Sequence, residues 1–204
     1  MNGAAMWYLN RASGIVALVL MTAVIVLGVV VRRQGRLPGL PRFVLVGLHR
    51  NVSLLSALFL AVHVATAVLD SYVDIGPAAA VVPFASTWRP AAVALGALAV
   101  DLLVLIVVTS LVRNRIPIAL WRVVHWSAYL LWPLAFLHAV AAGSDVRSGW
   151  ALAVVLVCAG AVGGTAVVGW MLNPPPAEDR APAAMADIAS AAGRGSRVAV
   201  FRNG

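Results

Sequence analysis

One apolar stretch, FVLVGLHRNVSLLSALFLAVHVATAVL, occupies residues 43–69 and limits the possible folds more than any other part of the chain. As a helix it would extend about 40 Å, which exceeds the roughly 30 Å hydrocarbon core of a bilayer. Similar segments recur along the chain, and about 20 apolar residues are enough to cross a membrane. The predicted spans are approximately residues 12–31, 43–69, 91–112, 118–141 and 150–172.

The overall composition agrees with these spans. Hydrophobic residues make up 62% of the chain and charged residues 11%, whereas a soluble domain is about half apolar and a quarter charged. The sequence therefore predicts an all-α integral membrane protein, a five-transmembrane-helix bundle within residues 1–172. Residues 173–204 begin with an asparagine and three prolines and are rich in Ala, Gly and Arg, which predicts a largely disordered tail.

The arginines indicate how the bundle is oriented. The loops at 32–42 and 113–117 lie on the same side and carry six arginines, whereas the connections at 70–90 and 142–149 carry two, with three aspartates. Because cytoplasmic loops are enriched in basic residues, we expect the N-terminus outside, the C-terminus and tail in the cytoplasm, and a multi-pass location in the cell membrane. Arginines at helix ends explain the net charge of +8. We therefore expect the chain to contact membrane lipid and not to bind nucleic acid.

The four histidines all fall in the second and fourth predicted spans. His49 and His63 are fourteen residues apart, and His125 and His138 are thirteen apart. Both spans cross in the same direction, so His49 and His125 should share one depth and His63 and His138 another. The spacing therefore predicts two cross-helix pairs at two levels of the membrane.

The chemistry of such pairs favours haem. A histidine within a bilayer is costly unless it has a partner, and the bland alternative is four imidazoles bonded to helix carbonyls. Zinc takes three or four converging ligands, whereas haem iron takes two axial ligands from opposite faces. We therefore predict two b-type haems, each held by two histidines, forming an electron path across the membrane. The lone Cys158 excludes an internal disulfide, a Cys-ligated cluster and c-type haem attachment.

One detail does not follow from ideal geometry. A separation of thirteen residues leaves His125 and His138 roughly 140° out of phase on a straight helix. Pro133 lies between them, and an internal proline kinks a helix. A distortion at Pro133 is therefore our expectation for how both rings turn inward.

Other charged residues are secondary candidates. Arg50 and Arg122 adjoin the inner histidine level and are the favoured partners for anionic haem propionates, with topology or lipid contact as the alternative. Asp101 lies near the middle of the third span, where a carboxylate should be protonated, paired or near water. It is a candidate for proton relay or for tuning a haem potential, or else a neutral acid bonded to a nearby hydroxyl or carbonyl.

The two histidine segments, GLHRNVSLLSALFLAVH and WRVVHWSAYLLWPLAFLH, resemble the ferric reductase-like transmembrane domain. That family includes NADPH oxidases, ferric reductases and the haem-binding subunit of the bacterial methionine sulfoxide reductase system. The resemblance implies that His49 and His125 ligate an inner haem b and that His63 and His138 ligate an outer one. The family usually has six spans, so five indicates loss of the first.

The resemblance also implies what surrounds the haems. The oxidases and ferric reductases carry a cytosolic flavin and nicotinamide domain, and we expect none in this chain. A separate flavoprotein or a quinol would then donate electrons to an extracytoplasmic acceptor. The leading interpretation is an electron-transfer subunit of an oxidoreductase, with no catalytic residue of its own. The alternatives are a quinol-linked cytochrome b and a structural subunit of a respiratory complex.

Overall fold

The computed structural model describes residues 3–32, 41–70, 73, 75–144, 146 and 149–171. Apart from two short 3-10 turns, its regular structure in these ranges is α-helical. The helices are α1 Gly3–Arg32, α2 Arg42–Leu69, α3 Pro90–Leu111, α4 Ile118–Trp126, α5 Ala128–Ala142 and α6 Gly149–Met171. The chain divides into two units, 1–165 and 166–204. The predicted disordered tail, 173–204, lies outside the described residues.

Five helical segments in the described ranges are long and apolar enough to cross a membrane, with α4 and α5 together forming the fourth. The prediction of an all-helical, multi-pass membrane protein is thereby confirmed. Many large apolar side chains are exposed, among them Leu58, Val104 and Val157, because the outer surface of such a bundle faces acyl chains rather than water.

The first helix begins nine residues before the predicted span, at Gly3. Its early turns pack on the end of α2, where Asn10 donates a side-chain hydrogen bond to the His63 carbonyl at 2.9 Å. The amide of Asn10 also lies 3.2 Å from the Thr66 hydroxyl. The predicted span began at residue 12 because the preceding turn, with Asn10 and Arg11, is polar. In the structure this turn is helical and packs on α2.

The fourth span breaks at Ser127, between α4 and α5, and not at Pro133, which lies inside α5. The Ser127 backbone N–H donates to the Val124 carbonyl at 3.1 Å, and the Ser127 hydroxyl donates to the same oxygen at 2.7 Å. Leu130 N–H in turn bonds the Ser127 carbonyl at 2.9 Å. These i to i+3 bonds tighten the backbone locally. The structure therefore shows a break at Ser127 that the sequence did not predict, and a distortion caused by Pro133 stays a prediction.

The packing core joins α1, α3, α5 and α6. α1 packs chiefly on α2, and α3 packs chiefly on α5. The indole N–H of Trp132 donates to the buried Thr22 hydroxyl at 2.9 Å, so the bulkiest core side chain has its polar atom satisfied. The buried members of this cluster are Leu18, Met21, Ile25, Ile106, Leu131, Trp132, Val146, Ala151, Val155 and Cys158.

Candidate functional site

The four histidine rings lie side by side in two pairs. The ring centroids of His49 and His125 are 6.2 Å apart, with 69° between the ring planes. The ring centroids of His63 and His138 are also 6.2 Å apart, with 76° between planes. The structure thus brings together the pairs that depth along the helices predicted. Their role as ligands stays a prediction.

His63 sits in a notch on α1. Its Nδ1 lies 2.9 Å from the Asn10 carbonyl oxygen. One turn later, Gly14 leaves room for the ring, since a Cβ on Gly14 would fall 2.8 Å from His63 Nδ1. Because a carbonyl oxygen only accepts hydrogen bonds, Nδ1 must be the donor, and in neutral imidazole that leaves Nε2 with a free lone pair.

His138 is seated in the same way on α3. Its Nδ1 lies 2.7 Å from the Ala92 carbonyl oxygen, and a Cβ on Gly96 would fall 2.7 Å from the same nitrogen. We call each of these sites a glycine seat: a backbone carbonyl that accepts from the imidazole, followed four residues later by a glycine that makes room for the ring. The two seats are Asn10 with Gly14 and Ala92 with Gly96. Since helix positions i and i+4 lie on one face, this spacing aligns the acceptor with the gap.

His49 has a looser version of this seat on α1. Gly28 approaches its ring, with a hypothetical Cβ 3.4 Å from Cε1. Val24, four residues earlier, presents its carbonyl to the imidazole, but His49 Nδ1 is buried without a partner inside hydrogen-bonding limits. The contact between the Val24 carbonyl and His49 is therefore weaker than a formed hydrogen bond.

The glycines were missed by sequence reasoning, although a signal for them exists. Gly14 and Gly28 are fourteen residues apart, the same separation as His49 and His63. α1 and α2 run antiparallel, so each glycine of one helix meets one histidine of the other. Matching separations of small residues and histidines on neighbouring helices would have predicted both seats.

His125 is held differently. Its ring stacks on the indole of Trp121, with centroids 4.8 Å apart and planes 18° apart. The guanidinium carbon of Arg113 lies 5.0 Å from the centroid of the Trp121 ring. His125 Nδ1 is buried with no hydrogen-bond partner among the described residues. Trp121 lies near the start of the fourth predicted span, where tryptophans commonly sit at the membrane interface, and nothing in its sequence position predicts contact with a histidine.

The predicted arginine partners do not contact the histidines. Arg50 and Arg122 are both exposed, and no hydrogen bond or ion pair ties either one to the part of the chain that the structure describes. At the other level, Arg89 donates to the Ala141 carbonyl at 2.8 Å, at the end of α5. Arg89 adjoins an open cleft of about 380 Å³.

Asp101 is also exposed, on α3. It is five residues beyond Gly96, and five helical steps turn a side chain about 140° around the axis. The carboxylate therefore lies away from the face of α3 that meets His138. In the described ranges, no group of three or more His, Cys, Asp or Glu side chains is placed to hold a metal ion, so each level offers two imidazoles.

These features define an integral membrane protein of five apolar spans whose interior carries two levels of paired imidazoles. The chain belongs to the ferric reductase like transmembrane component family, whose model matches residues 13–137. The match includes His49, His63 and His125 and ends one residue before His138. No curated protein and no solved structure matches the chain.

Proposed function

We propose that this protein transfers electrons across a membrane through two b-type haems, one held by His49 and His125 and the other by His63 and His138. The observation that carries the proposal is the common ring spacing, with centroids 6.2 Å apart at both levels. An imidazole nitrogen binds a metal at about 2 Å, so two imidazoles on opposite sides of one iron should have centroids roughly 6 Å apart. The residues present therefore fit bis-histidine haem.

The hydrogen bonds of the outer pair support the same conclusion. His63 and His138 both donate a hydrogen bond from Nδ1 to a backbone carbonyl. In each neutral ring, the other nitrogen, Nε2, can then only accept. Two neighbouring acceptors cannot bond each other, and an electrophile such as a metal satisfies both. A hydrogen bond from Nδ1 also fixes the orientation of a ligating histidine and raises its basicity.

The protein contributes position and insulation to this function. A haem held at each level by two histidines would supply one-electron redox chemistry rather than substrate binding. The apolar helices surround both levels, and the glycine seats hold the outer rings in place. Arg50 and Arg122 are exposed and lie within three residues of His49 and His125 in the sequence. They are the proposed counter-charges for haem propionates at the inner level.

Orientation and partners are part of the proposal. The distribution of arginines supports a cytoplasmic inner level in a cell membrane, with the N-terminus outside. Electrons would enter from a separate flavoprotein or a quinol and leave to an extracytoplasmic acceptor. One feature favours the quinol-linked alternative: the cleft beside Arg89 is lined otherwise by the apolar Pro90, Ala91, Ala92 and Ala141, and Ala92 carries the carbonyl that seats His138.

Haem quantitation on the purified protein tests the proposal. Wild-type protein should contain two haems per chain. His49→Ala and His125→Ala should each remove the same haem, and the double variant should remove no more, whereas His49→Ala with His63→Ala should remove both. Tyr129→Phe, on the exposed face of α5, serves as the control. A wild-type content of one haem or none, or losses that do not follow the pairs, would refute the proposal.

Trial donors separate the candidate functions. Rapid haem reduction by a reduced flavoprotein supports the reductase subunit, and rapid reduction by a quinol supports the quinol-linked cytochrome b. Reduction by neither donor supports a structural role in a larger complex.

A further inference from the structure

His125 is the exception among the four histidines. Three of them contact a glycine of a neighbouring helix: His63 contacts Gly14, His138 contacts Gly96, and His49 contacts Gly28. No glycine among those described lies within 4 Å of His125 by the same measure.

The facing helix α3 supplies no such seat. Thirteen residues after Gly96, the separation between His125 and His138, α3 carries Thr109. Its hydroxyl is already bonded to carbonyls of its own helix, at 2.7 Å to Leu105 and 3.1 Å to Ile106. Among the described residues, His125 has neither a glycine against its ring nor a hydrogen-bond partner for Nδ1.

Trp121 occupies the space beside the ring instead. Residues four apart on a helix are neighbours, and the indole of Trp121 lies nearly parallel to the imidazole of His125, with 18° between planes. A stacked indole opposes rotation of the imidazole about its Cβ–Cγ bond, because rotation would drive the imidazole edge toward the indole. This restraint is the one that a carbonyl acceptor supplies to His63 and His138.

The indole is itself held from its surroundings. Arg113 lies against the Trp121 ring as a cation–π partner, with 5.0 Å from guanidinium carbon to centroid. The indole N–H is 3.4 Å from the Ser110 hydroxyl. Arg113 and Ser110 come from the end of α3 and the turn after it, so the contacts tie α4 to a second element.

We infer that Trp121, clamped by Arg113, is a positioning residue that fixes the plane of the His125 imidazole, in place of the glycine seat that the other three histidines have. The inference rests on the proposed function, since it concerns His125 as a haem ligand. It extends that function by giving the inner level a restraint of different chemistry from the outer one.

The chain supplies a matched control. Trp126 is on the same helix and is also covered by an arginine, with Arg32 at 4.9 Å from its ring centroid. It is 51% exposed, and no ring stack joins it to a histidine among the described side chains. Trp126→Leu therefore removes an indole and a cation–π contact without removing the proposed restraint.

Low-spin EPR spectroscopy of the oxidised protein is the test, because the principal g values of a bis-imidazole haem report the angle between its two ligand planes. Trp121→Leu should shift or broaden the inner-haem signal and leave the outer-haem signal unchanged. Arg113→Gln should do the same to a smaller extent, and Trp126→Leu should leave both signals as in wild type. Loss of the inner haem alone in Trp121→Leu would also support the inference.

An inner-haem signal in Trp121→Leu identical to that of wild type would overturn it. If Trp121→Leu lost both haems through misfolding, Trp121→Met decides, because methionine fills apolar space without presenting a flat ring face, and an unchanged inner-haem signal would then overturn the inference. Failure of the proposed function is distinguishable, since His125→Ala would then remove no haem.

Discussion

Gly14 lies against the imidazole of His63 so closely that a Cβ at Gly14 would fall 2.8 Å from Nδ1. The same nitrogen bonds the Asn10 carbonyl at 2.9 Å, so the ring cannot retreat without losing that bond. Gly14 is thus required by the close approach of a side chain, and its absence of a Cβ determines where the histidine of a neighbouring helix sits.

Alanine substitutions at the glycine seats should therefore have graded effects. Gly14→Ala and Gly96→Ala place a Cβ under 3 Å from an imidazole nitrogen, and overpacking of this kind costs about 1–3 kcal/mol. Both variants should lower thermal stability and weaken binding of the outer haem only. Gly28→Ala, with its contact at 3.4 Å, should affect the inner haem mildly. Thermal unfolding and haem content measure these effects.

Gly160 provides the control for this series. It lies in α6, and nothing is within 4 Å of its hypothetical Cβ. Gly160→Ala should be neutral or slightly stabilising, because alanine is the better helix former. Equal effects at Gly14 and Gly160 would show that the seats are not under steric constraint.

The buried bond between Trp132 and Thr22 should contribute to stability. Thr22→Val removes the acceptor at 2.9 Å and leaves an indole N–H unpaired in the core, which costs about 1–3 kcal/mol. Thr22→Val should lower the unfolding temperature, and the loss should shrink in a Trp132→Phe background. Thr109→Val is the control, since the Thr109 hydroxyl bonds only carbonyls of its own helix. If the effects of Thr22→Val and Trp132→Phe on the unfolding temperature were simply additive in this double-mutant cycle, the expectation would be contradicted.

The two haem levels should differ in midpoint potential. The outer histidines donate hydrogen bonds from Nδ1, which makes them more basic ligands and favours the oxidised iron. The inner histidines have no such bonds within hydrogen-bonding limits, and Arg113 lies near His125 through Trp121. Lacking that donation and lying near a positive charge, the inner haem should have the higher potential.

A spectroelectrochemical titration measures this difference. His49→Ala should abolish the higher-potential step and His138→Ala the lower one. The opposite assignment would show that solvation or the propionates, rather than the hydrogen bonds of the ligands, set the order.

The sequence predicted the spans and the pairing of the histidines because hydropathy and residue spacing report position along a helix axis. It did not predict how each ring is held, because that depends on which face of a neighbouring helix lies opposite. Trp121 illustrates the gap: its sequence position fits an interfacial anchor, and only the structure shows that its indole contacts both the Arg113 guanidinium and the His125 imidazole. The break at Ser127 was missed for a related reason. The Ser127 hydroxyl and backbone N–H both bond the Val124 carbonyl, and such a local bond leaves no periodic pattern in the sequence.

Asp101→Asn tests the proton-relay hypothesis. A relay requires that the variant flatten the pH dependence of a haem midpoint potential. The position of Asp101 favours the other outcome, because it is exposed and lies about 140° around α3 from the glycine that meets His138. We therefore expect both midpoints and their pH dependence to match wild type. We also expect Asp101→Leu to be at least as stable as wild type in thermal unfolding, since a carboxylate facing hydrocarbon is costly. A changed pH slope in Asp101→Asn, with haem content intact, would place the carboxylate on a proton path despite its outward position.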